Sequence, residues 1–148
     1  MLTPSKKLYY AVEAVLYIAY NANHHPISSR EIARQQGLPP RYLEQIMQRL
    51  VHGHILRGTR GPRGGYMLAK DKKHIHLHDI CELVNEDDIV SELPPTTELG
   101  NHVVRPLWEE MLNDAQAKLA NVTIADLCHI ATEKSIGRYA SQKVDSTE

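Results

Sequence analysis

The stretch PPRYLEQIMQRLVHGHILRGTRGPRGGYMLAK, residues 39–70, constrains this chain more than any other. Up to about His52 its apolar residues fall at helical spacing, with Tyr42, Ile46 and Leu50 on one line and Leu43 and Met47 beside it. From Ile55 the pattern changes to two short extended runs, Ile55–Arg60 and Gly65–Ala69, around the turn Gly61-Pro62-Arg63-Gly64. A helix that runs straight into a basic, glycine-tipped hairpin is the pattern of a recognition helix and wing. That pattern implies a nucleic-acid reader.

The total charge argues against such a reader, and its distribution argues for one. The formal net charge is only −1 over 148 residues. Yet Ser28–Lys73 carries ten basic residues (Arg30, Arg34, Arg41, Arg49, Arg57, Arg60, Arg63, Lys70, Lys72, Lys73) against three acidic ones (Glu31, Glu44, Asp71). Asp79–Asp114 carries ten acidic residues, offset only by Arg105. Segregation of this kind sets one part of a chain against a polyanion and keeps another part away from it. The plainer alternative is two ordinary solvated faces.

The length suits one domain plus an appended element. With no Phe and one Trp, the core must rest on Leu, Ile, Val, Ala and Tyr. No apolar run approaches the roughly 18–20 residues of a membrane span, and the first residues, MLTPSKKLYY, lack a secretory pattern. Two cysteines, Cys81 and Cys128, make no disulfide framework and fit a reducing compartment, so a cytoplasmic protein is expected.

Residues 5–22 are expected to form a first helix capped by Ser5. Its apolar stripe would be Leu8, Val12, Val15, Leu16 and Ala19, with Ala11 and Ala14 allowing close packing. Ser28 and Glu31 have capping-box spacing at the start of a second helix, and Gly37 supplies its left-handed end. Pro40 then sits where a third helix starts. Helix, short turn and helix within about 25 residues is helix-turn-helix spacing.

In the third helix, Glu44 and Gln45 are candidates for base contacts, because a carboxylate accepts from cytosine and a carboxamide pairs with adenine. Arg41 and Arg49 suit phosphates, which position a protein without specifying sequence. In the hairpin, Gly58, Gly61, Gly64 and Gly65 permit positive φ and close backbone approach, and Pro62 stiffens the tip. Arg57, Arg60 and Arg63 surround that tip, where a narrow minor groove attracts guanidinium groups. Ser28, Ser29, Pro40, Tyr42 and Tyr66 complete the expected DNA-contacting set. A solvated polar face, common to all amphipathic helices, is the competing account. The hairpin is not a phosphate loop, since it lacks a GK[ST] ending and leads into a strand.

After the hairpin, His74, His76 and His78 occupy alternate positions and would share one face of a strand, which is metal-ligand geometry. The duller account turns Ile75 and Leu77 inward and the imidazoles to water. No metal is expected, and His74, His76, His78 and His102 remain the candidates if one binds. His78-Asp79 would cap a short helix, Ile80–Val84, that carries Cys81. Residues 85–101 break all periodicity and form a loop, a candidate sensor region. From His102 to Asn121 a long amphipathic run, with Val103, Leu107, Met111, Leu112, Ala115 and Leu119, is too broadly apolar for one small domain. Such a helix is expected to pack on its copy. Thr123 would cap a short last helix, and the tail from Gly137 is polar and flexible. The division is therefore a DNA-binding domain at 1–84, the loop at 85–101, dimerisation helices at 102–136 and the tail at 137–148.

The sequence resembles the Rrf-type bacterial winged-helix regulators, the family of IscR, NsrR and CymR. Tyr10-Ala11-Val12-Glu13-Ala14 resembles the family's first helix, and Arg41-Tyr42-Leu43-Glu44-Gln45 its recognition helix. Arg60-Gly61-Pro62-Arg63-Gly64-Gly65-Tyr66, the most specific motif, resembles its wing, and Val122-Thr123-Ile124-Ala125-Asp126-Leu127 its last helix. The resemblance implies a homodimeric, operator-binding repressor or activator in which Glu44 and Gln45 read bases and Arg60 enters the minor groove.

One departure stands out. Members with an iron–sulfur cluster carry three cysteines between the short helix and the dimer helix, whereas residues 85–101 contain none and His102 falls where the last would be. No cluster or other cofactor is expected, since a cluster needs thiolate donors. The expected fold is mainly α, a winged helix-turn-helix with a two-stranded β wing and a long C-terminal dimerisation helix. The expected function is a homodimeric transcription regulator, a repressor, that recognises a pseudo-palindromic site on double-stranded DNA through 39–52 and 57–66. The alternative is a protein-interaction winged helix docking an acidic partner. No nucleophile–base pair, HExxH or P-loop supports an enzyme. A small-molecule or protein effector stays open.

Overall fold

A computed structural model describes residues 5–21, 24–84 and 97–138. Its elements, in order, are α1 (Lys6–Asn21), α2 (Ser29–Gln36), α3 (Pro40–His52), β1 (Leu56–Thr59), β2 (Gly65–Leu68), a 3-10 turn (Lys72–His74), α4 (Leu77–Val84), a π turn (Gly100–Val104), α5 (Arg105–Asn121) and α6 (Ile124–Glu133). The fold is mainly α with a two-stranded antiparallel sheet, as the sequence predicts.

Local chemistry sets the ends of the first three helices. The Ser5 hydroxyl accepts from the Leu8 amide at 3.2 Å and starts α1. Ser28 does the same for the Glu31 amide at 3.2 Å and starts α2. The Glu31 carboxylate in turn accepts from the Tyr17 hydroxyl at 3.2 Å, which ties α2 to α1. Gly37 stands at φ 65°, and the Leu38 amide donates to the Ala33 carbonyl at 2.9 Å, a left-handed helix end. Two residues on, Pro40 opens α3, whose Leu43, Ile46, Met47 and Leu50 are fully buried.

The core also includes Ala11, Ala14, Val15 and Ile18 of α1, Ile32 of α2, Ile55, Leu56 and Ile75. The buried line on α1 is thus rotated from the predicted stripe. Leu8, Val12, Leu16 and Ala19 are only partly buried. The reason is that α1 has neighbours on more than one side. Its alanines let the core close in, and Leu8, Val12 and Leu16 turn toward Leu77 and Cys81 of α4 and Leu119 of α5.

In the hairpin, Leu56 pairs with Leu68, Arg57 with Met67, Gly58 with Tyr66 and Thr59 with Gly65. The strands are slightly shorter than predicted, although the Ala69 amide still donates to the Ile55 carbonyl at 2.9 Å. A second backbone pairing flanks β2. The Ile27 amide donates to the Tyr66 carbonyl at 3.0 Å, and the Tyr66 amide returns a bond to the Ile27 carbonyl at 2.8 Å. The hairpin base is thereby fastened to the residue that precedes the α2 cap.

Beyond the hairpin three expectations need correction. His74, His76 and His78 do not alternate along a strand. His74 ends the 3-10 turn, His76 makes an isolated bridge with Thr123, and His78 lies on α4. The cause is Asp79, whose carboxylate accepts from the His76 amide at 3.0 Å and so starts α4 at Leu77 rather than Ile80. The last long helix begins before His102, since the Asn101 amide already donates to the Thr97 carbonyl at 2.9 Å. A π turn follows, with the Arg105 amide bonded to the Gly100 carbonyl. Pro106 has no amide to give the carbonyl four residues back, and its ring crowds that carbonyl, so a widened turn at this point relieves both. Most of the predicted 85–101 loop, residues 85–96, and residues 139–148 of the tail lie outside the described residues.

The C-terminal corner is stitched back to the core. The Leu77 amide donates to Val122 at 3.0 Å, and the Ile124 amide to Ile75 at 2.9 Å. Thr123 caps α6 through a complete capping box with Asp126. Among the described residues no helix is long and apolar enough to cross a membrane.

The hairpin attachment makes a clear stability prediction. A Cβ at Gly65 would overlap the Ile27 carbonyl, whereas one at Gly58 meets nothing nearer than the Tyr66 ring at 3.9 Å. Gly65→Ala should lower the urea-derived unfolding free energy by about 3 kcal/mol, because backbone rather than a flexible side chain stands in the way. Gly58→Ala should change it by no more than about 0.5 kcal/mol.

Candidate nucleic-acid interface

The amide pair between Ile27 and β2 draws three elements around one opening. The start of α2, the outer face of α3 and the wing border a cleft of about 790 Å³. Ser28 and Ser29 contribute its α2 wall, Glu44, Gln48 and His52 its α3 wall, and Thr59 to Gly61 with Gly64 to Tyr66 its wing wall. The α2 wall is a helix N-terminus, where unpaired amides favour an anion.

The wing tip is a tight turn in which the Gly64 amide donates to the Gly61 carbonyl at 2.9 Å, with Pro62 and Arg63 at its centre. Gly61, at φ 109°, is the wing's only glycine in the left-handed half of backbone space. Gly64 and Gly65 are needed for close approach instead, since a Cβ at Gly64 would overlap the Thr59 carbonyl. Gly58 meets neither condition. Of the two uses expected of these glycines, positive φ falls to Gly61 and close backbone approach to Gly64 and Gly65.

Inside the cleft Tyr66 and Glu44 face one another. The Tyr66 phenol is pushed above its ordinary ionisation range, first by burial and then by the negative charge of Glu44. Arg41, Arg60 and Arg63 are exposed and, among the described residues, form no ion pair or hydrogen bond within the chain. Of the three, Arg60 lines the cleft and gives the wing wall a positive charge opposite Glu44.

Not every predicted contact residue reaches this surface. Ser28, Ser29, Glu44, Arg60, Gly61, Gly64, Gly65 and Tyr66 line the cleft. Pro40, Arg41, Gln45, Pro62 and Arg63 are exposed but do not line it. Tyr42 instead turns inward, its ring edge-on to Tyr10 with centroids 6.3 Å apart. Arg49 is half-buried and donates from Nη1 to the Val84 carbonyl at 3.3 Å, so it satisfies the C-terminal end of α4. Arg57 points to the far face of the hairpin, with Nη2 at 3.8 Å from Met67 Sδ. Arg57 and its cross-strand partner Met67 do not line the cleft, whereas the next pair, Gly58 and Tyr66, does. Gln48 and His52 line the cleft beyond the expected set, and their i+4 and i+8 spacing from Glu44 is the sequence signal that places them on its side of the helix.

The histidines are dispersed. His76 Nδ1 lies 3.5 Å from Asp79, and His78 Nε2 lies 3.0 Å from Glu82. His102 is on the π turn. Among the described residues no group of three His, Cys, Asp or Glu side chains is placed to hold a metal ion.

Comparison with known proteins agrees with this geometry. Residues 4–130 match the family model Rrf2, described as an iron-dependent transcriptional regulator. The HTH-type transcriptional regulator IscR of Yersinia pseudotuberculosis is 31% identical over 121 residues, covering 80% of this chain and 74% of that protein. The structure of T. potens IscR superposes with a TM-score of 0.76 at 29% identity, covering 92% of this chain and 93% of that one. CymR, the global cysteine regulator of B. subtilis, gives a TM-score of 0.76 at 26% identity over 88% of this chain and 98% of that one.

The Glu44–Tyr66 arrangement has a spectroscopic consequence. Glu44→Gln removes the charge that opposes tyrosinate, so the Tyr66 ionisation should move to lower pH. The difference in tyrosinate absorbance between matched proteins with and without Tyr66→Phe isolates that titration among the seven tyrosines. An unmoved curve would separate the two side chains.

Proposed function

The chain belongs to the Rrf2 family of transcriptional regulators, and we propose that it acts as a homodimeric repressor on a pseudo-palindromic operator. As a member it is a DNA-binding regulator and not an enzyme. The observation that carries the finer proposal is the single cleft between α3 and the wing, with Glu44 on one wall and Arg60 on the other. α3 enters the major groove, where Glu44 and Gln45 meet base edges, while Arg60 and Arg63 follow the wing into the adjacent minor groove. Ser28 and Ser29 hold a backbone phosphate at the α2 N-terminus, and Arg41 meets another.

The second subunit is supported by α5, a helix of 17 residues with none buried. Leu107 is 56% exposed, and Trp108, Met111 and Leu112 are 40–43% exposed. A soluble protein rarely leaves such a face uncovered, and two-fold pairing covers it with an identical one. The dimer then presents two copies of the cleft to two half-sites.

The residues present do not fit the iron–sulfur cluster that the family's iron-dependent members imply. Cys81 of α4 and Cys128 of α6 are 9% and 5% exposed. Burial pushes both thiols up, away from the thiolate form a cluster requires. Residues 85–101 contribute no cysteine in sequence. The signal this regulator answers is therefore proposed to be something other than a cluster of that kind. Anaerobically purified protein should be colourless, with iron at background. A brown, iron-containing preparation would overturn the proposal.

DNA binding has its own test, by fluorescence anisotropy on fragments selected from random duplex. Affinity should fall steeply with salt, each neutralised phosphate adding about −0.9 to the log–log slope. Arg60→Ala should weaken binding to all sequences and flatten that slope, whereas Glu44→Ala should mainly relax base choice, by about 1–3 kcal/mol at one position. Salt-insensitive, sequence-indifferent binding is the contrary result.

A further inference from the structure

α3 is bordered by two clefts. Opposite the wing cleft is a second, of about 480 Å³, lined by Lys7 of α1, Gln45, Gln48, Arg49 and His52 of α3, and Leu83 of α4. Gln48 and His52 line both. A residue shared by the hollows on either side of a helix stands on the ridge between them.

Helical geometry agrees. At about 100° per residue, Gln48 lies about 40° round the helix from Glu44 and about 60° from Gln45, between the two. Arg41, two turns earlier, falls within about 20° of the same line. A helix in the major groove, which is about 12 Å wide, turns its ridge to the groove floor and its flanks to the walls. Glu44 and Gln45 are the flanks here, and Gln48 is the middle of the ridge. His52 belongs to the last turn, next to Gly53, where the chain leaves the helix for the wing.

Gln48 is exposed, and among the described residues its carboxamide has no hydrogen-bond partner. Gln36 offers a contrast, since its Nε2 donates to the Tyr10 carbonyl at 3.2 Å and holds α2 to α1. A carboxamide presents one acceptor and one donor in a fixed fork. That fork matches the N6 donor and N7 acceptor of adenine in the major groove. Neither an acceptor-only carboxylate nor a donor-only guanidinium can make the same pair.

We infer that Gln48 is a specificity-determining residue that reads an adenine near the centre of each half-site. The inference rests on the DNA-binding mode proposed above, and the experiment separates the two. Full-length protein, Gln48→Ala and Gln48→Glu are each used to select sequences from random duplex, and preferences are quantified by competition. Circular dichroism and thermal unfolding confirm that the exposed substitutions leave the fold unchanged.

Wild type should select a two-fold motif containing an adenine that Gln48→Ala no longer prefers, with discrimination there falling about ten-fold and other positions retained. Gln48→Glu should exchange that adenine for cytosine, whose N4 amino group a carboxylate accepts. Identical motifs from all three proteins, or an equal loss of affinity for every sequence, would overturn the role of Gln48. If wild type itself selected no motif, the operator-binding proposal would fall and this one with it.

Discussion

Two backbone hydrogen bonds between Ile27 and Tyr66 hold the reading surface together. Ile27 stands immediately before the α2 cap, and Tyr66 is the second residue of β2. The pair fixes how far the wing stands from the helix-turn-helix. Ile27 is 3% exposed, so its amide and carbonyl would be left unsatisfied away from water if the pairing opened. A hydrogen bond contributes only about 0.5–1.5 kcal/mol net, but an orphaned buried group costs about 1–3 kcal/mol, and that asymmetry makes the junction stiff. Gly65 is the residue that allows it, because only a backbone without a Cβ comes so close to the Ile27 carbonyl. The wing glycines thus serve two ends, with Gly61 turning the tip and Gly65 seating the base.

The rest of the molecule extends this junction in two directions. Inward, the Glu31–Tyr17 bond and the buried faces of α2 and α3 lock the reader onto α1. Toward the C-terminus, the bridge at His76 and Thr123, with Ile75 and Ile124 fully buried beneath it, fastens the end of α5 and the start of α6 to the same core. α5 itself contributes little to that core and carries its apolar residues on the surface. In the proposed dimer, the distance between two readers would therefore be set by helices joined to each of them.

Much of this was legible in the sequence because it is written in local chemistry. Ser28, Gly37 and Pro40 each mark a helix end by a bond or dihedral reaching no more than a few residues, and the Gly61–Gly64 turn is equally local. What escaped depends on partners distant in the chain. Arg49 resembles any surface arginine until the Val84 carbonyl, 35 residues away, is found beside it. Tyr42 packs against Tyr10, and α1 buries a different line because it has neighbours on several sides. The alternating histidines misled for the opposite reason, since a short-range cap by Asp79 outweighed an apparent strand period. The single-residue pairing of Ile27 has no periodicity for a sequence to display.

If that junction makes wing and helix one rigid reader, both must engage the duplex at once and at fixed spacing. Hydroxyl-radical footprinting on the selected operator measures this directly, because it reports backbone protection nucleotide by nucleotide. The expected pattern is two-fold symmetric, with strand protection flanking a major-groove window in each half-site and an adjoining protected minor groove, the half-sites lying about 10 base pairs or a multiple apart. Protection of the major-groove flanks with the neighbouring minor groove fully cleaved would contradict it, showing a wing that does not move with the helix.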